Sequence, residues 1–141
     1  MELSAAGAPG DLEARTLAVA RIVASAVAGC PFCIDMNAAT WKRAGLSPEE
    51  LDCLLDVDEG AWAGLGAREC AAARYAKALS RTPVSLDEAL SAEMRERFSP
   101  KEIVVLAATI AQVNYWSRFN QGLGVPAAGF FDESACRVPG R

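Results

Sequence analysis

Cys30-Pro31-Phe32-Cys33 is the stretch whose residue types and spacing point to chemistry. Two cysteines three apart, with a proline between them, can close a small disulfide ring and reopen it with little backbone movement. That is the requirement of dithiol redox chemistry. The chain contains no histidine, which excludes a Ser-His-Asp triad, a Cys-His dyad and any metal site that needs imidazole. Structural zinc takes four ligands, and Cys53, Cys70 and Cys136 each stand alone, with no second CxxC to complete a set. The expectation is a protein without metal or other cofactor. The solitary cysteines read as core or surface residues, with Cys136 as a candidate exposed thiol near the C-terminus. A plainer reading of Cys30 and Cys33 is a pair of ordinary buried cysteines, since cysteine is among the most buried residues.

The motif lies between two helical patterns. From Asp11, the residues Leu12, Val19, Ile22, Val23, Ala26 and Val27 fall on one helical face, and Gly29 is a natural stop. Proline is favoured at the first position of a helix and pushes the residue before it out of the α region. Both rules put Cys30 at an N-cap, Pro31 at the first helical position and Cys33 in the first turn. The second pattern runs through Met36, Ala39 and Trp41 and stops at Gly45. Capping boxes are read at Ser47-Pro48-Glu49-Glu50, Ser85-Leu86-Asp87-Glu88 and Ser99-Pro100-Lys101-Glu102. They open helices expected at 48–57, 86–97 and 100–119, and another is expected at 66–80. No stretch alternates as a strand does, so the expected fold is all-α, a compact bundle of about six helices. Residues 1–10 read as a loose leader, 11–125 as the helical domain and 126–141 as an irregular tail.

A thiolate is stabilised by the free N–H groups and positive dipole end of a helix N-terminus, which both motif cysteines can reach. Asn37, one turn beyond Cys33 on the same face, is a candidate supporting residue that could hydrogen-bond a sulfur or a peroxide oxygen. Its amide cannot carry a proton near neutral pH. Asp35 is expected to point away from the cysteine face, and Glu13 is the other nearby carboxylate in sequence. Trp41, Tyr115, Trp116 and Phe119 read as core and interface rather than as a substrate pocket. Asn114, Arg118 and Asn120 are expected to satisfy one another or a neighbouring chain. The 100–119 helix is apolar nearly all round, which in so small a domain points to a second subunit as its outer cover.

Of the 141 residues, 52% are hydrophobic, so the body of the chain can bury a core. Fourteen Lys and Arg against eighteen Asp and Glu give a net charge of −4, and the basic residues are scattered. A nucleic-acid partner is therefore set aside. The longest apolar runs are too short to span a bilayer, and no signal peptide is read at the N-terminus. The expectation is a cytoplasmic protein with no membrane partner. In that reducing compartment a CxxC is more often catalytic, redox-sensing or metal-binding than a structural staple.

Gly29-Cys30-Pro31-Phe32-Cys33, followed by Ala44-Gly45-Leu46-Ser47-Pro48-Glu49-Glu50, resembles the carboxymuconolactone decarboxylase and alkylhydroperoxidase D superfamily. So does the stretch from Ser99 through Asn114-Tyr115-Trp116-Ser117-Arg118-Phe119-Asn120 to Gly124. The resemblance covers about residues 10–126. It implies an all-helical subunit that assembles into trimers or hexamers and reduces hydroperoxides through a Cys30–Cys33 dithiol–disulfide cycle. Carried over from the family, Cys33 attacks the peroxide and Cys30 resolves the sulfenic acid, whereas helix capping alone would favour Cys30 as the nucleophile. A dithiol protein, thioredoxin-like or lipoyl-bearing, would restore the pair. Two positions depart from the pattern. Asn37 stands where the family has a histidine, and Ala18 stands where a glutamate is expected, so the usual proton relay is absent or rebuilt. General acid–base help contributes ~10²–10⁴-fold, so its loss bears directly on turnover. The family's decarboxylases lack the CxxC and rely on a histidine. The reading reached from the sequence is therefore a thiol-dependent hydroperoxide reductase. A thiol–disulfide oxidoreductase or redox sensor, and a non-catalytic helical assembly protein, stand as alternatives.

Overall fold

The computed structural model describes residues 12–132. Among them are six α-helices and one 3₁₀ turn, with no strand, as the absence of alternating segments predicts. The helices are α1 (Ala14–Ala28), α2 (Pro31–Ala38), α3 (Pro48–Asp56), α4 (Ala67–Leu79), α5 (Glu88–Arg97) and α6 (Pro100–Gly122). The expected leader, residues 1–10, lies outside the described residues, as do Cys136 and the end of the expected tail.

α1 is the hub. Val19, Ala20, Ile22, Val23 and Ala24 have no exposed surface, and the helix packs against α2, α3, α4 and α6. Ala20 and Ala24 share the core with Ala72, Ala73 and Ala76 of α4, and small side chains let two helix backbones approach closely. Two arginines tie helix starts together at the far end from the CxxC. Arg15 of α1 donates to Glu50 of α3 and Glu69 of α4, each at 2.7 Å, and to the Gly45 carbonyl. Arg68 of α4 pairs with Glu13 and Glu102, reaches the Arg97 carbonyl and lies over the Phe98 ring. Glu50 and Glu102 also close the capping boxes of α3 and α6, so the same carboxylates start a helix and fix its neighbour.

Ser47 and Ser99 cap their helices as expected, but Ser85 does not. Asp87 is the N-cap of α5, accepting the Leu90 N–H at 2.7 Å, and the helix begins at Glu88 rather than Leu86. Aspartate caps as well as serine does, and the later cap leaves Val84 and Leu86 outside the helix and exposed. α2 is shorter than its apolar pattern. It ends at Ala38, where Thr40 turns its hydroxyl onto the Asn37 carbonyl at 2.8 Å, an alternative to helix continuation. A series of turns follows to Gly45, where φ is +75°. Trp41 is buried from those turns, while Met36 is exposed. A 3₁₀ turn at Glu59–Gly64 was not anticipated. It buries Trp62, whose indole N–H donates to the Cys53 carbonyl at 3.1 Å.

α6 runs three residues past its expected end, and only Leu106, Ile110 and Ser117 along it are fully buried. Tyr115, Trp116 and Phe119 are about half exposed and pack on one another outside the core, so in this single chain they are not core residues.

Beyond α6 the chain returns across α2. Asp35, buried at 7% exposure, accepts the backbone N–H groups of Ala128 (3.1 Å), Phe130 (3.0 Å) and Phe131 (2.8 Å). Phe130 meets Phe32 edge-on, with ring centroids 6.2 Å apart. Burial acts to raise the Asp35 carboxyl, but the backbone donors outweigh it and hold it below the usual carboxylate value. A carboxyl lowered by folding stabilises the docked segment above its unfolded value of about 3.9, and that contribution is lost as pH falls through the folded value. Asp35→Asn is therefore expected to speed hydrogen exchange at Ala128, Phe130 and Phe131 by about tenfold or more, the scale of losing hydrogen bonds to a charged acceptor. The wild type should lose the same protection on acidification. Unchanged exchange at those three amides in the variant would contradict the clasp.

Candidate functional site

The motif occupies the junction the capping rules predict. Gly29 ends α1 with φ +69°, in the left-handed region that costs glycine nothing. Cys30 is the N-cap of α2 in extended conformation, and Pro31 takes the first helical position. The Cys30 sulfur accepts the Cys33 N–H at 3.2 Å, doing with Sγ what serine usually does with a hydroxyl. Both cysteines are free thiols and both are buried, at 0% and 1% exposure. The Cys30 thiol is pushed above its ordinary value, first by burial and then by the hydrogen bond and the charge of the Cys33 side chain. N–H donors from Cys33 and Phe32 oppose this without reversing it. Folding thus makes the Cys30 thiol harder to ionise than an ordinary one.

Cys33 has a partner that the sequence did not suggest. The Asn120 side-chain amide, from the last turns of α6, donates to the Cys33 sulfur at 3.6 Å across 87 residues of sequence. Asn120 had been expected to pair with Asn114, Arg118 or a neighbouring chain. Arg118 does donate to Asn114 Oδ1 at 2.7 Å, and Asn114 in turn donates to Ser80 at 2.9 Å, but Asn120 turns to the thiol instead. Its place in the amide-rich run from Asn114 to Asn120 was the one available signal. Ser117, one turn before it, has a buried hydroxyl without a partner among the described residues.

Asn37 is buried and lies on the cysteine face, but its amide donates to the Cys33 carbonyl at 2.8 Å rather than to a sulfur. It fixes the backbone of the motif. Asp35 faces away from the cysteines, as expected, and holds the returning segment. Glu13 caps the opposite end of α1, ~22 Å away at 1.5 Å per residue, and is occupied by Thr16 and Arg68, so it has no part in the site. Ala18 is a buried α1 residue. Cys70 donates to the Trp62 carbonyl at 3.0 Å, and burial pushes its thiol up. Cys53 is half-buried against the core. Among the described residues no three His, Cys, Asp or Glu side chains gather as a metal site would require. No described helix is long and apolar enough to cross a membrane.

The carboxymuconolactone decarboxylase family model matches residues 1–78, which include both motif cysteines but not α6. The uncharacterized protein YnjA of Escherichia coli K12 is 33% identical over 133 residues, covering 93% of this chain and 67% of its own length. The uncharacterized protein YdfG of Bacillus subtilis 168 is 28% identical over 109 residues, covering 77% and 73%. A crystal structure from Agrobacterium tumefaciens superposes with a TM-score of 0.75 at 24% identity, over 82% of this chain and 79% of the other. That protein is described as one of unknown function and as a candidate antioxidant defence protein AhpD. At this identity the likeness establishes the shared helical fold.

An amide N–H on a sulfur favours the thiolate, the form that reacts. Asn120→Leu should therefore slow alkylation of Cys33 by iodoacetamide near neutral pH by about two- to tenfold, the scale of one hydrogen bond. Peptide mapping would assign the modified cysteine. Labelling of Cys33 at the wild-type rate would show that the amide is a bystander.

Proposed function

Because this chain belongs to the carboxymuconolactone decarboxylase family, we propose that it is the CxxC-bearing, thiol-dependent kind, a hydroperoxide reductase working through Cys33 and Cys30. The observation that carries the reading is the paired free thiols at the start of α2, with the Cys30 sulfur accepting the Cys33 N–H and the Cys33 sulfur accepting the Asn120 amide. In the first step the Cys33 thiolate attacks the terminal oxygen of the hydroperoxide. A sulfur–oxygen bond forms, the O–O bond breaks, and the sulfur is oxidised by two electrons to the sulfenic acid. The leaving alkoxide takes a proton and departs as the alcohol. With no histidine in the chain, the Cys30 thiol, hydrogen-bonded to Cys33, is the nearest source of that proton. Giving it up leaves Cys30 as a thiolate, which attacks the Cys33 sulfenic sulfur. The disulfide forms as the sulfur–oxygen bond breaks, and the departing hydroxide takes from solvent the proton that Cys33 released on ionising, leaving as water. An external dithiol, thioredoxin-like or lipoyl-bearing, then reduces the pair and is itself oxidised to a disulfide. Such a cycle suits a reducing compartment such as the cytoplasm and would serve antioxidant defence.

One equivalent of hydroperoxide added to reduced protein should remove two thiols, recovered by mapping as a Cys30–Cys33 disulfide. Cys33→Ser should abolish peroxide consumption, and Cys30→Ser should stall at the sulfenic acid. Survival of both motif thiols, or full consumption by the Cys33→Ser variant, rules the proposal out.

A second reading, a thiol–disulfide oxidoreductase or redox sensor, is favoured by one observation: among the described residues no titratable acid or base other than the two thiols is bonded to the motif sulfurs. It predicts fast exchange with small disulfides and negligible peroxide turnover.

We also propose that the chain forms a homo-oligomer, a trimer or hexamer, through the exposed face of α6. Tyr115, Trp116 and Phe119 form a contiguous aromatic surface there, with Val104 exposed on the same helix. Large exposed aromatic patches mark interaction surfaces. Sedimentation at micromolar concentration should find an oligomer that Trp116→Asp disrupts, and a wild-type monomer would exclude it.

A further inference from the structure

A cleft of about 730 Å³ opens beside the end of α1, lined by Val27, Val57, Thr82, Arg81, Arg118 and Gln121, among others. No carboxylate lines it, although the chain as a whole carries a net charge of −4. Its two arginines are also without carboxylate partners among the described residues. Arg118 uses two of its five N–H donors on neutral oxygens, those of Asn114 (2.7 Å) and Thr82 (3.0 Å), which hold the guanidinium in place and leave donors unused. Arg81 also borders a second cleft, but the acidic groups lining that one are taken: Glu59 pairs with Lys77, and Asp87 caps α5. Arg81 and Arg118 are exposed, whereas the half-buried Arg15, Arg68 and Arg74 are paired with glutamates. The cleft is thus a positive site in an acidic protein, with valines on the same wall.

Its wall is linked along the chain to the dithiol. Gln121, in its wall, donates to the Ala28 carbonyl at 3.0 Å, two residues before Cys30. The residue before it on α6 is Asn120, whose amide donates to the Cys33 sulfur.

We infer that this cleft binds the carboxylate head of an amphipathic molecule, with Arg81 and Arg118 on the carboxylate and Val27 and Val57 against its carbon chain. Guanidinium presents parallel N–H donors that match a carboxylate, and a fully polar anion would have no use for the valines. Resting on the reading proposed above, the inference makes the preferred substrate class the carboxylate-bearing organic hydroperoxides rather than neutral ones.

Calorimetric titration of the reduced full-length protein with octanoate and with octanamide, its neutral counterpart, tests binding without reference to turnover. Octanoate is expected to bind roughly tenfold more tightly, the scale of two exposed ion pairs. That preference should weaken as salt is raised, because exposed charges are screened over ~8 Å at 0.15 M. The Arg81→Gln/Arg118→Gln double variant should reduce the acid-to-amide ratio to about one. Equal binding of acid and amide, an undiminished ratio in the double variant, or tighter binding of inorganic phosphate than of octanoate would each overturn the inference. In turnover, kcat/KM should favour a fatty-acid hydroperoxide over its methyl ester by a similar factor. If no hydroperoxide is reduced but octanoate still discriminates, the function falls and the cleft stands. If hydroperoxides are reduced with no preference for the acid, the cleft falls and the function stands.

Discussion

The constraint on which this structure depends is the complete burial of the middle of α1. A helix with no exposed surface at Val19, Ala20, Ile22, Val23 and Ala24 cannot lie on the outside of anything, so the other elements are arranged as its cover. α4 and α6 make its largest contacts, and α2 and α3 close the remainder. One consequence is that both ends of α1 are crowded junctions. At its start, Arg15 and Arg68 gather glutamates that also cap α3 and α6. Such half-exposed ion pairs contribute little stability, about 0–1 kcal/mol each. Their effect is to fix which helix begins beside which.

At the other end, the chain must stop one helix and start another without leaving buried polar groups unpaired. Gly29 takes the left-handed turn, and the Cys30 sulfur receives the orphan N–H of Cys33. A serine there would cap α2 equally well. The choice of cysteine therefore adds nothing that folding demands, and it places two sulfurs three residues apart at the start of α2. The energetic requirement of the turn and the chemical requirement of the site are met by the same atoms.

How much could be read in advance follows from the range of each interaction. Pro31, Pro48 and Pro100, with Ser47 and Ser99, state helix starts within four residues, and those starts are where they were expected. Ser85 and Asp87 are both competent caps two residues apart, and nothing local decides between them. The end of α2 was misjudged because Trp41 and Ala39 continue an apolar rhythm that the Thr40 hydroxyl interrupts. The two contacts that most define the motif's surroundings were out of reach altogether. Asp35 meets the chain 93 to 96 residues later, and Asn120 meets Cys33 from 87 residues away. An aspartate receiving three backbone N–H groups and a thiol receiving an amide leave no trace in periodicity or spacing.

Asn37 acquires a meaning from this geometry. Its amide binds the Cys33 carbonyl, stays on its own helix and leaves the sulfur to Asn120. The side-chain donor on the Cys33 sulfur thus comes from α6, a helix packed against α2, and not from α2 itself. Support from the same helix depends only on that helix forming, whereas support from another depends on how the two are docked. Asn120 also follows Phe119, a member of the exposed aromatic face, and precedes Gln121, which bonds the end of α1. Any surface that covers Phe119 bears directly on the turn that presents Asn120 to Cys33. In a chain without histidine, the state of the thiol is therefore tied to the position of α6, so packing and reactivity should change together.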